Sequence, residues 1–370
     1  MPKRELKTER GFIYPSVLKL QWHITDCCNL RCAHCYQDTY GSKQLSYSQL
    51  LLIYRKYNGL LRQLNIESPY PVHGHITVTG GEPFIRKDFL DLLGVFHADR
   101  KIVSFSVLTN GTFIDAPMAA TLRKLDASFV QVSVEGSGET NDSIRGHGVY
   151  QSTVSALKHL VRERVQSFIS FTAHQNNYGQ FMEVARLGLD LGVSRVWADR
   201  LIPRGSGSDM EDLLLSPART RAFFEIMHKA HSESVSSFSR TGISMHRALQ
   251  FLIAGGTPYH CGAGHTLITV QPDGGLCPCR RMPVRIGDLL EESLIDLYYG
   301  NDFFRALRDR SRVSEGCEEC AFSGTCRGGL KCLSYAVTGD PFKADPGCWL
   351  AKGRQLEVST EGTVCCRSSA

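Results

Sequence analysis

The chain contains no apolar stretch near the ~18–20 residues that a membrane span requires. Its opening Met1-Pro2-Lys3-Arg4-Glu5 leads into no apolar signal region. Neither an anchor nor a secretory signal is expected, and the cytoplasm is the expected location. No Lys/Arg block stands out, and a net charge of +5 is spread over 370 residues, so neither nucleic acid nor membrane is demanded as a partner. Internal repeats and low-complexity tracts are absent. With 42% hydrophobic and 21% charged residues, disorder, collagen and coiled coil are excluded. Fourteen cysteines are too sparse for a disulfide scaffold, and a reducing compartment disfavours disulfides.

Those cysteines are unevenly spread. Cys27, Cys28, Cys32 and Cys35 stand together, and none follows until Cys261. Eight then fall between Cys261 and Cys348, and Cys365-Cys366 lie near the end. Clustered thiols in such a chain read as metal ligands or redox groups.

Apolar periodicity alternates between strand and helix through the first two thirds. Leu20, Trp22 and Ile24 alternate as a strand, and further strands are expected near 75–79, 102–108, 128–134, 167–172 and 194–202. Helical spacing covers 46–64, with Ser46 as a cap, and recurs near 87–98, 115–125, 150–163 and 178–191. Six βα steps are fewer than the eight of a closed barrel. The expected fold class is α/β, a partial (β/α)6 TIM-like barrel with function at the C-terminal strand ends. Pro203-Arg204-Gly205-Ser206-Gly207 breaks the rhythm, and residues 216–235 and 245–254 look helical. From Cys261 the chain is loop-rich, with a hairpin signal at Pro272-Asp273-Gly274-Gly275 and one amphipathic helix over roughly 288–309. A segment so poor in regular core is expected to need metal. The expected organisation is an N-terminal segment (1–19), a barrel (20–207), a helical linker (208–259), a cysteine-rich domain (260–350) and a tail (351–370).

Cys28-Asn29-Leu30-Arg31-Cys32-Ala33-His34-Cys35 is a CxxxCxxC motif on the loop leaving the first strand. Three thiolates on one short loop can hold three irons of a cubane cluster and leave the fourth open. A zinc knuckle is the alternative, but it needs a fourth ligand, for which only the poorly spaced His34 is local.

The motif resembles the radical S-adenosylmethionine (SAM) superfamily, and further segments agree. Thr79-Gly80-Gly81-Glu82-Pro83 resembles the family's GGEP motif, which contacts the SAM amino group. Paired glycines let backbone approach a ligand, and Glu82 offers an acceptor to an ammonium. Thr109-Asn110-Gly111 stands where the family often lines the cofactor site. The resemblance implies that Ser133 and Arg145 hold the SAM carboxylate, that Leu201 meets adenine, and that His34 replaces a nearby aromatic. The implied chemistry is reductive cleavage of SAM to a 5′-deoxyadenosyl radical.

Cys261, Gly274, Cys279, Cys317, Cys320, Cys326, Cys332 and Cys348 resemble the SPASM domain of peptide-modifying radical SAM enzymes, which binds two auxiliary [4Fe–4S] clusters. The resemblance gives Cys261, Cys279 and Cys332 to the first, and Cys317, Cys320, Cys326 and Cys348 to the second. Five residues separate Cys326 from Cys332 where the family usually has three. Cys277 is expected to close the first cluster as a ligand; the other arrangement leaves one iron open to a substrate thiolate. Pro278 favours extended backbone before it.

Three [4Fe–4S] clusters, SAM, an electron donor such as flavodoxin or ferredoxin, and a peptide or protein substrate follow from the resemblance. The implied reaction is a cross-link or related oxidation. Sulfatase maturases carry Asp where this chain has Arg280, so formylglycine formation loses support. The quinone-cofactor enzyme has Asp where this chain has Cys348. About 20 residues precede the first strand, too few for a leader-binding domain. Recognition then falls to a separate leader-binding protein or to the barrel mouth, where Arg280, Arg281 and Arg285 are candidates. Tetrapyrrole tailoring is the alternative reaction, and a non-catalytic iron–sulfur carrier the alternative of another class.

Overall fold

The computed structural model describes residues 12–41 and 44–351. The opening residues 1–11, the tail from residue 352 and the Cys365-Cys366 pair lie outside them. Six strands run parallel and in sequence order: β1 (Val17–His23), β2 (His73–Thr79), β3 (Val103–Thr109), β4 (Val130–Ser133), β5 (Ser167–Ala173) and β6 (Arg195–Arg200). Strict alternation separates their faces. Leu18, Leu20 and Trp22 of β1 are fully buried against the helices, as are Ile76 and Val78 of β2. Gln21, Thr77, Gln131, Ser170 and Trp197 line the concave side and are partly exposed. The concave face of the sheet is thus more polar than the face packed under the helices.

The crossover helices are α1 (Tyr47–Glu67), α2 (Phe89–Ala98), α3 (Ala116–Lys124), α4 (Gly138–Arg145), α5 (Val149–Arg162) and α6 (Phe181–Leu191). Ser46 caps α1 as expected, in a reciprocal capping box with Gln49. Helix α4 is an addition to the expected pattern. Its residues Gly138–Arg145 are mostly polar and carry little apolar periodicity. Helix α7 (Pro217–Ser236) and the short α8 (Phe251–Ala254) complete the middle of the chain, and the two-residue β7 (Gly242–Ile243) pairs with β6.

The cysteine-rich segment does not stand apart from the sheet. Strand β8 (Leu267–Val270) pairs parallel to β1, placing Gln21 beside Thr269. The expected hairpin turns it into β9 (Gly275–Cys277), and β10 (Gly287–Asp288) follows. One open ten-stranded sheet results, in the order β10-β9-β8-β1-β2-β3-β4-β5-β6-β7. The helix expected over 288–309 is two helices, α9 (Leu294–Gly300) and α10 (Asp302–Arg308). Asn301 divides them, because its extended backbone ends the first and its side chain caps the second. Two short helices, α11 (Ser323–Cys326) and α12 (Lys331–Thr338), carry Cys326 and Cys332, while Cys317, Cys320 and Cys348 lie in the loops around them. Among the described residues no helix is long and apolar enough to cross a membrane.

Candidate functional site

Every motif of the first two thirds arrives at the C-terminal ends of β1–β6. The CxxxCxxC loop leaves β1 and is pinned by neighbouring loops. Glu82 N–H donates to the Cys27 carbonyl (2.8 Å), Gly81 N–H to the Thr25 carbonyl (2.8 Å), and Gly207 N–H to the Cys35 carbonyl (2.9 Å). This contact also explains the paired glycines. A Cβ on Gly80 would lie 2.6 Å from the Thr25 carbonyl oxygen, and one on Gly81 would strike that of Cys27. The close approach here is to the cysteine loop itself.

Cys28, Cys32 and Cys35 are free thiols that face one another electrostatically. Burial raises the Cys28 and Cys32 thiols; the Leu30 N–H (3.4 Å) opposes this at Cys28, and the Arg145 guanidinium opposes it at Cys32. Among the described residues no three His, Cys, Asp or Glu side chains converge closely enough for a single metal ion. The Leu30 N–H and the Arg145 guanidinium aimed at sulfur suit cluster thiolates. Cys27 is turned away, toward the Gly41 carbonyl and Gln44.

Glu82 lies at the end of β2, fully buried. It accepts from the Thr109 hydroxyl (2.9 Å to each oxygen), Asn110 N–H (2.8 Å) and Phe84 N–H (3.3 Å), and no cation pairs with it among the described residues. Burial pushes its carboxyl up to about 7 despite those donors. Asn110 turns its amide to Asn29 (2.9 Å), which ties the third strand end to the cysteine loop. Pro83 begins the tight turn that follows Glu82.

Arg145 ends α4 and is buried. Its Nη2 lies 2.5 Å and its Nε 3.2 Å from Glu135 Oε1, and Nη1 points toward Cys32 Sγ at 3.8 Å. His34 Nε2 meets the same Glu135 oxygen at 3.0 Å, while Thr172 N–H donates to the other oxygen at 2.7 Å. Although burial opposes it, Arg145 and His34 bring the Glu135 carboxyl down to about 2. The residue missed in sequence is therefore Glu135, and its signal was a carboxylate two residues past the end of β4, at the C-terminal edge of the sheet. His34 Nδ1 and His174 Nε2 are buried without partners. Ser133 hydroxyl meets that of Ser170 (3.2 Å), and Leu201 is buried just past β6.

The three expected basic residues part company. Arg285 binds Asp273 (2.6 Å) and Asp288 (2.9 Å) on the exposed hairpin. Arg281 enters the barrel mouth to Asp199 (2.7 Å), which Arg247 also binds at 2.5 Å. Arg280 donates to Thr79 hydroxyl and Gly80 carbonyl (3.0 Å each) and lies 4.2 Å from the Tyr36 ring centre. They form no common basic patch.

Cys317, Cys320, Cys326 and Cys348 line one pocket with Asp345, Phe251 and Phe322. Four thiols around one largely apolar pocket suit a cubane. Cys261, Cys279 and Cys332 form a second group, each of the buried thiols Cys261 and Cys332 sensing Cys279. Cys277 also senses Cys279, and its sulfur accepts from Gln271 Nε2 at 3.2 Å.

A family model of the radical SAM superfamily matches residues 22–188, and one of the SPASM iron–sulfur cluster-binding domain matches 261–321. Mycofactocin maturase MftC of Mycobacterium ulcerans is 30% identical over 363 residues, spanning 94% of this chain and 91% of that protein. The chain belongs to the radical SAM superfamily. This radical SAM enzyme is also 25% identical over 366 residues to pre-heme d1 synthase of Dinoroseobacter shibae, across 92% of this chain and 87% of that one. Streptococcus suis SuiB, solved with S-adenosylmethionine, shares the open-sheet fold with a TM-score of 0.69. Identity there is 15%, over 91% of this chain and 77% of that one.

Proposed function

We propose that this radical SAM enzyme modifies a ribosomally made peptide or protein by a cross-link or related oxidation. Cys28, Cys32 and Cys35 would hold the SAM-binding [4Fe–4S] cluster, Cys261, Cys279 and Cys332 a first auxiliary cluster, and Cys317, Cys320, Cys326 and Cys348 a second. When bound, the reduced cluster supplies the electron that breaks the sulfonium C–S bond of SAM. Glu82 is the observation that carries the SAM site: a buried carboxylate with three donors and no cation is built for an ammonium. Gly80, Gly81 and Pro83 shape its loop. Ser133 and the Nη1 of Arg145, which also reaches Cys32 Sγ, serve the SAM carboxylate, with Arg145 oriented by Glu135. Asn110, His34 and Leu201 bound the rest of the ligand. A non-catalytic electron carrier has no use for such a pocket.

The peptide substrate is supported by the likeness to a named maturase along nearly the whole chain. A flavodoxin or ferredoxin as electron donor, a separate leader-binding protein and a cytoplasmic location complete the reading. The likeness to pre-heme d1 synthase supports tetrapyrrole tailoring as the second reading. Anaerobic reconstitution should give about twelve irons per chain, falling to about eight when Cys28, Cys32 and Cys35 are all replaced by Ala. That triple variant should make no 5′-deoxyadenosine; if it still does, the SAM site lies elsewhere. Mass spectrometry of a co-expressed short peptide encoded beside the gene should show a mass loss. A Soret shift on adding haem, with the peptide unchanged, would favour the second reading.

A further inference from the structure

Residues Cys279 to Met282 form a tight turn, closed by Met282 N–H donating to the Cys279 carbonyl at 3.0 Å. Its two middle residues, Arg280 and Arg281, reach opposite walls of the barrel. Arg281 binds Asp199 on β6 at 2.7 Å. Arg280 reaches the end of β2, where Nη1 donates to the Thr79 hydroxyl and Nη2 to the Gly80 carbonyl, both at 3.0 Å. Three strands separate β2 from β6 in the sheet. Two consecutive side chains anchored on those strands hold the turn in one place across the barrel mouth.

The Arg280 contacts fall on the Gly80-Gly81-Glu82 loop, which leans on the cysteine loop through Gly81 N–H to Thr25 and Glu82 N–H to Cys27. Gly80 is buried, and among the described residues its carbonyl accepts from Arg280 alone. The hydroxyl of Thr79, a residue 3% exposed, has the same single partner among them. A buried carbonyl stripped of its donor is costly, so without Arg280 the backbone at Gly80 would shift or admit water. Glu82 lies two residues further on.

The guanidinium is fixed in turn by the Tyr36 ring, 4.2 Å away, and Tyr36 directly follows Cys35. Arg280 pairs with no carboxylate among the described residues. Its planar fork serves two neutral oxygens and one ring face, a geometry that Lys copies only in part. One side chain thus joins the residue after Cys35, the end of β2 and the residue after Cys279.

We propose that Arg280 is a positioning residue for the SAM site: it braces the Gly80-Gly81-Glu82 loop from the cysteine-rich segment, so that SAM affinity depends on the turn carrying Cys279. This rests on the SAM site and the first auxiliary cluster of the function proposed above.

The test is isothermal titration with SAM of the anaerobically reconstituted full chain, without reductant, so that SAM binds and is not cleaved. Arg280→Gln should keep about twelve irons per chain and weaken SAM by about fivefold or more. Arg280→Lys, which keeps the charge and can reach one of the two oxygens, should recover part of that loss. Cys279→Ala should fall to about eight irons and also weaken SAM. The two substitutions together should weaken it no more than the stronger of them alone, because both act through one contact. Iron near twelve in Cys279→Ala would defeat the cluster assignment itself. If that variant does not fold, Arg280→Gln and Arg280→Lys decide alone. Unchanged SAM affinity in Arg280→Gln, no recovery in Arg280→Lys, or losses that multiply in the double variant would overturn the proposal.

Discussion

Arg200 and Asp345 form a bidentate ion pair in which both side chains are almost wholly buried, at 2% and 0% exposure. Arg200 ends β6, and Asp345 lies between α12 and Cys348, so the pair fastens the cysteine-rich segment to the barrel. Asp345 also accepts Leu330 N–H and Gly347 N–H at 2.9 Å each. Every lone pair facing inward is used, which is the condition for a buried ion pair to hold.

Removing one partner strands the other. Arg200→Leu should cost about 3–5 kcal/mol, because it leaves an uncompensated buried carboxylate. Urea denaturation of the protein before cluster loading should show this as a lowered midpoint with little change in slope. Replacing both residues with apolar ones of similar volume should recover part of the loss. A cost below about 1 kcal/mol for the single variant would place the pair at a surface-like dielectric, against its burial.

The barrel was legible because alternation is a local signal. Leu18, Leu20 and Trp22 announce the buried face of β1 without reference to the rest of the chain. What escaped notice depends on distant pairing. Nothing in Leu267–Val270 says that it adds to the β1 edge rather than forming a separate domain. Arg145 was assignable as a SAM ligand only through family resemblance. It ends a helix and is buried against Glu135, a partner that no local pattern announces. Asn301 misled differently: apolar spacing continues across it, while its side chain caps a new helix. The three neighbouring arginines could not be separated by spacing, since their partners, Thr79, Asp199 and Asp273, lie on different elements.

Glu82 gives the ligand site a pH dependence whose sign is fixed. Its folded-state carboxyl is raised from the ordinary 4.5 to about 7 by burial. Keeping it charged therefore destabilises the ligand-free fold, and the stability it contributes at low pH is lost as pH rises between those values. A SAM ammonium should bind the charged form. SAM affinity should accordingly climb by up to about tenfold per unit below pH 7 and level off above it. Glu82→Gln should remove that slope, weaken SAM by roughly ten- to a hundredfold, and stabilise the ligand-free protein at pH 8. Isothermal titration at pH 6, 7 and 8 reads the first two effects and thermal melts the third. A slope that survives in Glu82→Gln would assign the titration to another group.

The last prediction concerns the fourth position of the first auxiliary cluster. Side chains at i and i+2 of an extended strand share a face about 7 Å apart, which kept Cys277 open as a partner for Cys279. In the structure Cys277 belongs to β9, and its sulfur is engaged by Gln271 Nε2 across the hairpin. Burial pushes its thiol up to about 12, Gln271 opposes that, and the charges acting on it are Cys279, Asp273 and Arg285. The last two sit at the hairpin's outer end. Cys261 and Cys332 likewise sense Cys279, and Cys332 senses Cys261 as well. The Gln271 contact on the Cys277 sulfur is what favours three protein thiolates and an open iron. Cys277→Ala should then keep full iron and an unchanged spectrum, losing about 1 kcal/mol for the small cavity. A cysteine-containing peptide should perturb the EPR signal of that cluster directly, and its Cys→Ala counterpart should not. Loss of about four irons per chain in Cys277→Ala would instead make Cys277 the fourth ligand. It would also require the hairpin to turn that sulfur away from Gln271 when the cluster binds.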